Sequence, residues 1–342
     1  MNISSGPLIS ICVPTYNGFP YIQSLIDELI LSSRSDFEIV ISDDGSTDGT
    51  WEYVSQKSID DPRVKAFSNE QNLGMDANFA KTVSLAGGRY VWLCGQDDKI
   101  FHEGIESVTA LLEKRPDLDF VYLNHVKVLE GDDQDSSLDK PEYGIHHVYG
   151  HGLNEYLNHH DYELPTFLPK YILRKNLWES VNIGKYFGTC YCQVGVFLEV
   201  SKGLNWCHFD GNYVVGLTPA NGWQSSPEQF TKISLGMYSM LCRSSKEMAW
   251  LDSKVLTRLV NKNYKRFIMS CLLLKSIEIK PEERIIQESL LVIKSAKALN
   301  LCVRIILTMP RWFSICILKL VSCRRSVRKH IIGVSPQGPK ID

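Results

Sequence analysis

The stretch YVWLCGQDDKIFHEG, residues 90–104, decides how the first part of the chain reads. Its apolar start, Tyr90 to Cys94, has the length and residue types of a buried strand, and Gly95-Gln96 ends it. Two adjacent carboxylates, Asp97 and Asp98, follow at once. Like charges side by side where a buried strand runs out repel one another, and burying them is costly unless something positive stands near. A divalent cation is such a partner. Mg2+ or Mn2+ takes one or two protein carboxylates and fills its other positions with water and phosphate oxygens.

Upstream and downstream of this stretch the chain alternates between two periods. LISICVP (8–14), FEIVIS (37–42), RVKAF (63–67), RYVWLC (89–94) and LDFVYLN (118–124) read as strands. Between them, apolar residues recur at helical spacing: Ile22, Leu25, Ile26 and Leu29, then Ala77, Ala80 and Val83, then Ile105, Val108 and Leu112. Pro20 suits a helix start, and DGSTDGTWEYVSQ reads as a turn and helix capped by Ser46 or Thr47. Strands alternating with helices imply right-handed βαβ units and a mainly parallel sheet covered on both faces. Ligands of such sheets bind beyond the carboxyl ends of the strands. The polar residues expected there are Thr15-Tyr16-Asn17, Asp43-Asp44, Asn69 to Asn72, and Asp97-Asp98, four strand ends aimed at one crevice.

With 342 residues, one large domain or two smaller ones are possible, and a net charge of −2 gives no overall basic field for nucleic acid. The charge is unevenly spread. From Ser289 to Ile341 there is no Asp or Glu, while Arg304, Arg311, Lys319, Arg324, Arg325, Arg328 and Lys329 are basic. Cys12 and Cys94 lie in apolar strands, Cys190 and Cys192 read as unpaired thiols, and MNISSGPLISICVPTYN lacks the pattern of an export signal. These features predict a cytoplasmic protein.

PTYNGFPY after the first strand is neither GxGxxG nor GxxxxGK[ST], so a metal-bridged nucleoside diphosphate fits the acidic strand ends better than a dinucleotide. ISICVPTYNG, FEIVISDDGSTDGT and NEQNLGMDANFAKTVSLAGGRYVWLCGQDD, in this order and spacing, resemble family-2 glycosyltransferases of GT-A fold over roughly the first 125 residues. The likeness is greatest to abequosyl- and rhamnosyltransferase-like enzymes of bacterial O-antigen assembly. The resemblance implies an α/β fold: a Rossmann-like, mainly parallel sheet with helices on both faces, plus a helical C-terminal region. It implies a donor site of Pro14, Thr15, Tyr16, Asn17, Asp43, Asp44, Asn72 and Asp97. Tyr16 would stack on the nucleotide base with Thr15 beside it, and Asp44 and Asp43 would meet base or ribose. Asp97 would approach ribose or donor sugar, and Asp98 would coordinate Mg2+ or Mn2+ on the diphosphate, so that both acids are catalytic. Two departures stand out. Gly95 occupies a position where many members carry Asp, and the downstream Glu-Asp motif with its catalytic base is not recognisable. Gln193 stands near the expected place, which leaves Asp161, Glu163 and Asp210 as unranked candidates for the base.

Five histidines in HHVYGHGLNEYLNHHDY (146–162) match no standard zinc spacing, and a surface or acceptor-site loop is expected there. The tail LCVRIILTMPRWFSICILKLVSCRRSVRKH mixes apolar and basic residues in runs too short to span a bilayer, and is expected to lie on an anionic membrane surface. The expected organisation is a nucleotide-sugar-binding half over 1–125, an acceptor-binding half over 126–235 and a helical region over 236–342. The expected activity is transfer of a sugar to a lipid-linked saccharide acceptor at the inner face of the bacterial cytoplasmic membrane, without nucleic acid. A sugar nucleotidyltransferase and a non-catalytic nucleotide-sugar-binding module are the alternatives.

Overall fold

The computed structural model describes residues 6–129, 142–143, 146–218, 226–262, 264–277, 283–293, 297–308, 310–311, 313–315 and 317. The polar segment from Glu130 to Pro141 and the basic residues from Lys319 onward lie outside them. The chain divides into two compact units, one of Met1–Phe187 with Val196–Pro219, the other of Gly188–Gly195 with Ala220–Asp342. Of the expected segments, 1–125 lies within the first unit, 126–235 is shared, and 236–342 lies within the second.

The first unit opens with β1 (Ile9–Thr15), α1 (Tyr21–Leu29), β2 (Phe37–Asp43), α2 (Thr50–Asp60), β3 (Val64–Ser68), α3 (Met75–Leu85), β4 (Tyr90–Leu93), β5 (Lys99–Ile100), α4 (His102–Lys114) and β6 (Phe120–Leu123). It continues through β7 (Val126–Leu129), β8 (Glu142–Tyr143), β9 (Val148–His151), α5 (Gly152–His159), β10 (Tyr171–Arg174) and α6 (Lys175–Glu179). Helix α7 (Cys192–Val200), which begins in the second unit and ends in the first, precedes β11 (Asn205–Phe209), β12 (Gly211–Asn212) and β13 (Val214–Thr218). Eight of these strands form one sheet in the order β3-β2-β1-β4-β10-β6-β11-β9. Every residue of β1 and β2 is buried, as a parallel sheet with both faces covered requires. α1 contributes Ile22, Leu25, Ile26 and Leu29 to that core, the stripe its spacing predicted.

Strands β3, β2, β1 and β4 are mutually parallel, with Thr15 opposite Asp43, Asp43 opposite Ser68, and Cys12 opposite Leu93. β10 runs antiparallel between β4 and β6, so β6 points the same way as β4, and β11 is parallel to β6. The carboxyl ends of β1, β2, β3, β4, β6 and β11 therefore share one edge of the sheet. Two small sheets, β5-β13-β7 and β12-β8, complete the unit.

One local expectation is corrected. α2 starts at Thr50 after Gly49, whose φ is 94°, and not from a cap at Ser46 or Thr47. Asp48 takes the role instead: its Oδ1 accepts from the Thr50 N–H and hydroxyl, while Ser46 is drawn to the carboxylate of Asp43.

The second unit is helical: α8 (Pro227–Glu247), α9 (Ser253–Lys262), α10 (Tyr264–Ile277), α11 (Glu283–Ile293) and α12 (Lys297–Thr308). Ser226 caps α8 by accepting from Gln229 N, with Pro227 in the first turn. Arg243 on α8 makes a 2.8 Å ion pair with Glu288 on α11, both nearly buried. No described helix is long and apolar enough to cross a membrane, and none of the described cysteines is in a disulfide.

Candidate active site

The site forms where the ends of β1 and β4 are tied together. Gln96 Oε1 accepts from the Thr15 hydroxyl at 2.6 Å and from Tyr16 N at 2.8 Å, and its Nε2 donates to the Tyr16 carbonyl. This amide fixes the backbone that follows Pro14 and leaves the Tyr16 side chain 49% exposed. A Cβ at Gly18 would come within 2.5 Å of Gln96 Oε1 and 2.8 Å of Thr15 Oγ1, so the clamp needs glycine there. Asn17 adopts the left-handed region at φ 47°, which Asn tolerates better than most residues. Its N–H donates to the Ser46 hydroxyl and its Oδ1 accepts from Thr47 N.

Asp43, the last residue of β2, and Asp44 are both buried and face inward. Asp43 accepts from Ser46 N and its hydroxyl. Asp44 Oδ1 accepts from Asn69 Nδ2 and Leu73 N, each at 2.8 Å, and Oδ2 from Gly74 N at 3.0 Å. The loop from Asn69 to Gly74 thus hangs on Asp44 and presents Asn72 to solvent, with Asn72 Oδ1 accepting from Gly74 N.

Asp97 and Asp98 follow β4, on the far side of β1 from Asp43 and Asp44. Asp98 is buried, and neither carboxylate has an ion-pair partner among the described residues. Burial raises the Asp97 carboxyl above its ordinary value; burial, and then the charge of Asp97, push Asp98 well above it. The two side chains converge on Gly95. A Cβ on that glycine would meet Asp98 Oδ2 at 2.6 Å and Asp97 Oδ1 at 3.1 Å. The missing side chain at residue 95 is therefore the space into which the carboxylates fold. Two uncompensated carboxylates offering hard oxygen donors fit Mg2+ or Mn2+ and suit a softer ion less.

The base candidates separate by environment. Asp210 follows β11, and its oxygens accept from Gly211 N, His146 N and Asn124 Nδ2. Asp161 and Glu163 are exposed, beside a left-handed pair at Asp161 (φ 47°) and Tyr162 (φ 61°). The segment after Glu163 crosses the ends of β4 and β6: the Trp92 indole donates to the Pro169 carbonyl, and Lys170 Nζ lies 4.1 Å from the Tyr122 ring centre. Gln193 is buried in α7. Sequence reasoning missed Gln96 and Gly18, because their roles depend on β1 and β4 being neighbours. It also missed the meeting of His159 and His160 with His208, far along the chain.

A family model described as glycosyl transferase family 2 matches residues 10–188. An abequosyltransferase of Salmonella typhimurium is 29% identical over 214 residues, covering 56% of this chain and 61% of that protein. A putative teichuronic acid biosynthesis glycosyltransferase of Bacillus subtilis is 32% identical over 109 residues, covering 32% of this chain and 43% of that one. The chain thus spans less than two thirds of either relative. Among solved structures, S. aureus TarS 1-349 in complex with UDP superposes with a TM-score of 0.59 at 19% identity, covering 98% of this chain and 94% of that one. That likeness is one of fold: a GT-A-like sheet followed by helices.

Proposed function

Because the chain belongs to glycosyl transferase family 2, we propose that it is an inverting, metal-dependent hexosyl- or deoxyhexosyltransferase. It takes its sugar from a nucleoside-diphosphate donor and passes it to a lipid-linked saccharide during assembly of an O-antigen or similar surface polysaccharide. The observation that carries this reading is the uncompensated pair Asp97-Asp98, Asp98 buried and Asp97 half-buried, at the same sheet edge as the half-exposed Tyr16.

The residues divide the work. Tyr16 stacks on the nucleotide base, and Thr15 and Asn17 shape the wall beside it. Asp43 lies behind that wall, while Asp44 acts through the loop that carries Asn72. Asp97 reaches the ribose or donor sugar. Asp98 is the principal ligand for Mg2+ or Mn2+, which when bound neutralises charge growing on the departing diphosphate. An acceptor hydroxyl attacks the anomeric carbon from the opposite face and gives its proton to a carboxylate. Glu163 is the favoured base, because it is exposed on a segment anchored across the ends of β4 and β6. Asp210 is hydrogen-bonded to backbone and to Asn124, which suits a positioning role. The exposed apolar and basic residues of the C-terminal helices hold the enzyme on the inner face of the membrane, where a lipid-linked acceptor resides.

Incubating the chain with a panel of nucleotide sugars and Mg2+ or Mn2+ tests the reading, with slow donor hydrolysis as the expected outcome. Asp98→Ala should lower turnover by about 100-fold or more with an unchanged circular dichroism spectrum. Glu163→Gln should lower acceptor-dependent transfer by about 100- to 10,000-fold. Full activity of Asp98→Ala would sink the assignment of the metal. Buried Gln193, standing where an acid is expected, favours a binding module as the second reading; donor binding without turnover under any condition would establish it.

A further inference from the structure

Away from the donor site, three histidines meet at the end of α5. His159 and His160 terminate or follow that helix, and His208 lies on β11. One ring nitrogen from each lies within 4.8 Å of the other two. The hydrogen bonds decide which nitrogens those are. His160 Nδ1 is 2.8 Å from the Tyr156 carbonyl, an acceptor, so Nδ1 carries the proton and Nε2 holds a bare lone pair. That Nε2 is buried and has no hydrogen-bond partner among the described residues. His208 Nε2 is 2.8 Å from Asn124 Oδ1, and Asn124 Nδ2 in turn faces the Asp210 carboxylate. His208 therefore donates through Nε2 and keeps its lone pair on Nδ1, which lies 2.9 Å from His159 Nε2.

We propose that His159 Nε2, His160 Nε2 and His208 Nδ1 bind a zinc ion, with a water in the fourth position on the exposed side of His159. Three imidazoles and a water are a standard tetrahedral zinc donor set. Metal-bound histidines characteristically donate their second N–H to a carbonyl or a carboxylate-linked group, and His160 and His208 already do so. The unpaired Nε2 of His160 is a cost in the metal-free chain that coordination removes. Burial holds both His160 and His208 in the neutral form that a ligand requires, lowering them to about 3 and about 4. Lys170 opposes any cation at this place, and Asp210 counters it at His208. On binding, His159 changes only its tautomer, moving its proton from Nε2 to Nδ1. The ion would fasten the end of α5 to β11 and is independent of the Asp97-Asp98 site.

The test uses the full chain without a histidine tag, stripped with EDTA and titrated with Zn2+ and separately with Co2+. One equivalent of zinc, a raised melting temperature and the visible absorption of tetrahedral cobalt are expected. His208→Ala and His159→Ala should each weaken zinc by more than about 100-fold, and Asn124→Ala by about 10- to 100-fold. Asp98→Ala and His102→Ala should retain it, the latter excluding the Glu28, His102 and Glu103 group. His159 is exposed, so its variant keeps the test decisive if His208→Ala loses its fold. Failure of the wild type to bind an equivalent, undiminished binding by His159→Ala, or loss of zinc in His102→Ala would each overturn the proposal.

Discussion

Gly95 shows how much one absent methyl group can decide. The Cβ of an alanine there would come within 2.6 Å of Asp98 Oδ2, closer than real contacts allow, and the carboxylate would have to swing away. Gly95→Ala is expected to lower donor turnover by about 100-fold, the scale of an ångström of misplacement at a reacting centre. Its melting temperature should stay near that of the wild type; equal turnover in a steady-state donor assay would show that the convergence of the two acids is incidental. The pair itself was legible in the sequence, because adjacent acids after an apolar run need a reason. Gln96 just before them was not. A glutamine announces no role until the fold brings Thr15 and Tyr16 within reach of its amide.

At the level of elements, the amino ends of the strands are joined by one buried group. Glu38 on β2 accepts from the Ser10 hydroxyl on β1, from Gly87 N before β4, and from Lys65 on β3. Gly88 N donates to Ser10 Oγ, and a Cβ at Gly88 would strike Ser10 N at 2.6 Å. Burial pushes the Glu38 carboxyl up, but Lys65, Ser10 and the Gly87 N–H together bring it below its ordinary value. A depressed carboxyl contributes stability above its unfolded pKa and loses it as pH falls through the folded one. Glu38→Gln should therefore cost about 1–3 kcal/mol at neutral pH, with the deficit shrinking under acid, as denaturant melts at several pH values would record. Most of the alternation from β1 to β6 was legible because β1, β2, β4 and β6 are mostly apolar runs and α1, α3 and α4 carry a stripe, whereas β3 holds Lys65 and Ser68 and the two-residue β5 gives no signal of its own. β9, β10 and β11 were harder. They are short, and their pairing joins residues far apart in sequence, which no local period encodes.

On the scale of the whole molecule, the C-terminal helices present apolar side chains outward. Leu301 and Ile305, one turn apart on α12, are 61% and 54% exposed with Arg304 beside them, while Val303 and Ile306 are buried. Phe313 is also exposed. If this face meets an anionic bilayer, the chain should sediment with phosphatidylglycerol vesicles at low salt. Leu301→Glu with Ile305→Glu should release it, and added salt should weaken it. Wild-type protein remaining in the supernatant would remove the membrane from the account. The antiparallel insertion of β10 bears on how the first unit is made. β6 leaves the ribosome well before either strand that flanks it in the finished sheet, β10 and β11. Until both arrive, its backbone donors and acceptors have only water or a chaperone to satisfy them. A gene fragment ending at residue 125 would encode the acidic pair and a sheet open along β4, a product for the protease and the inclusion body more than for the chemist.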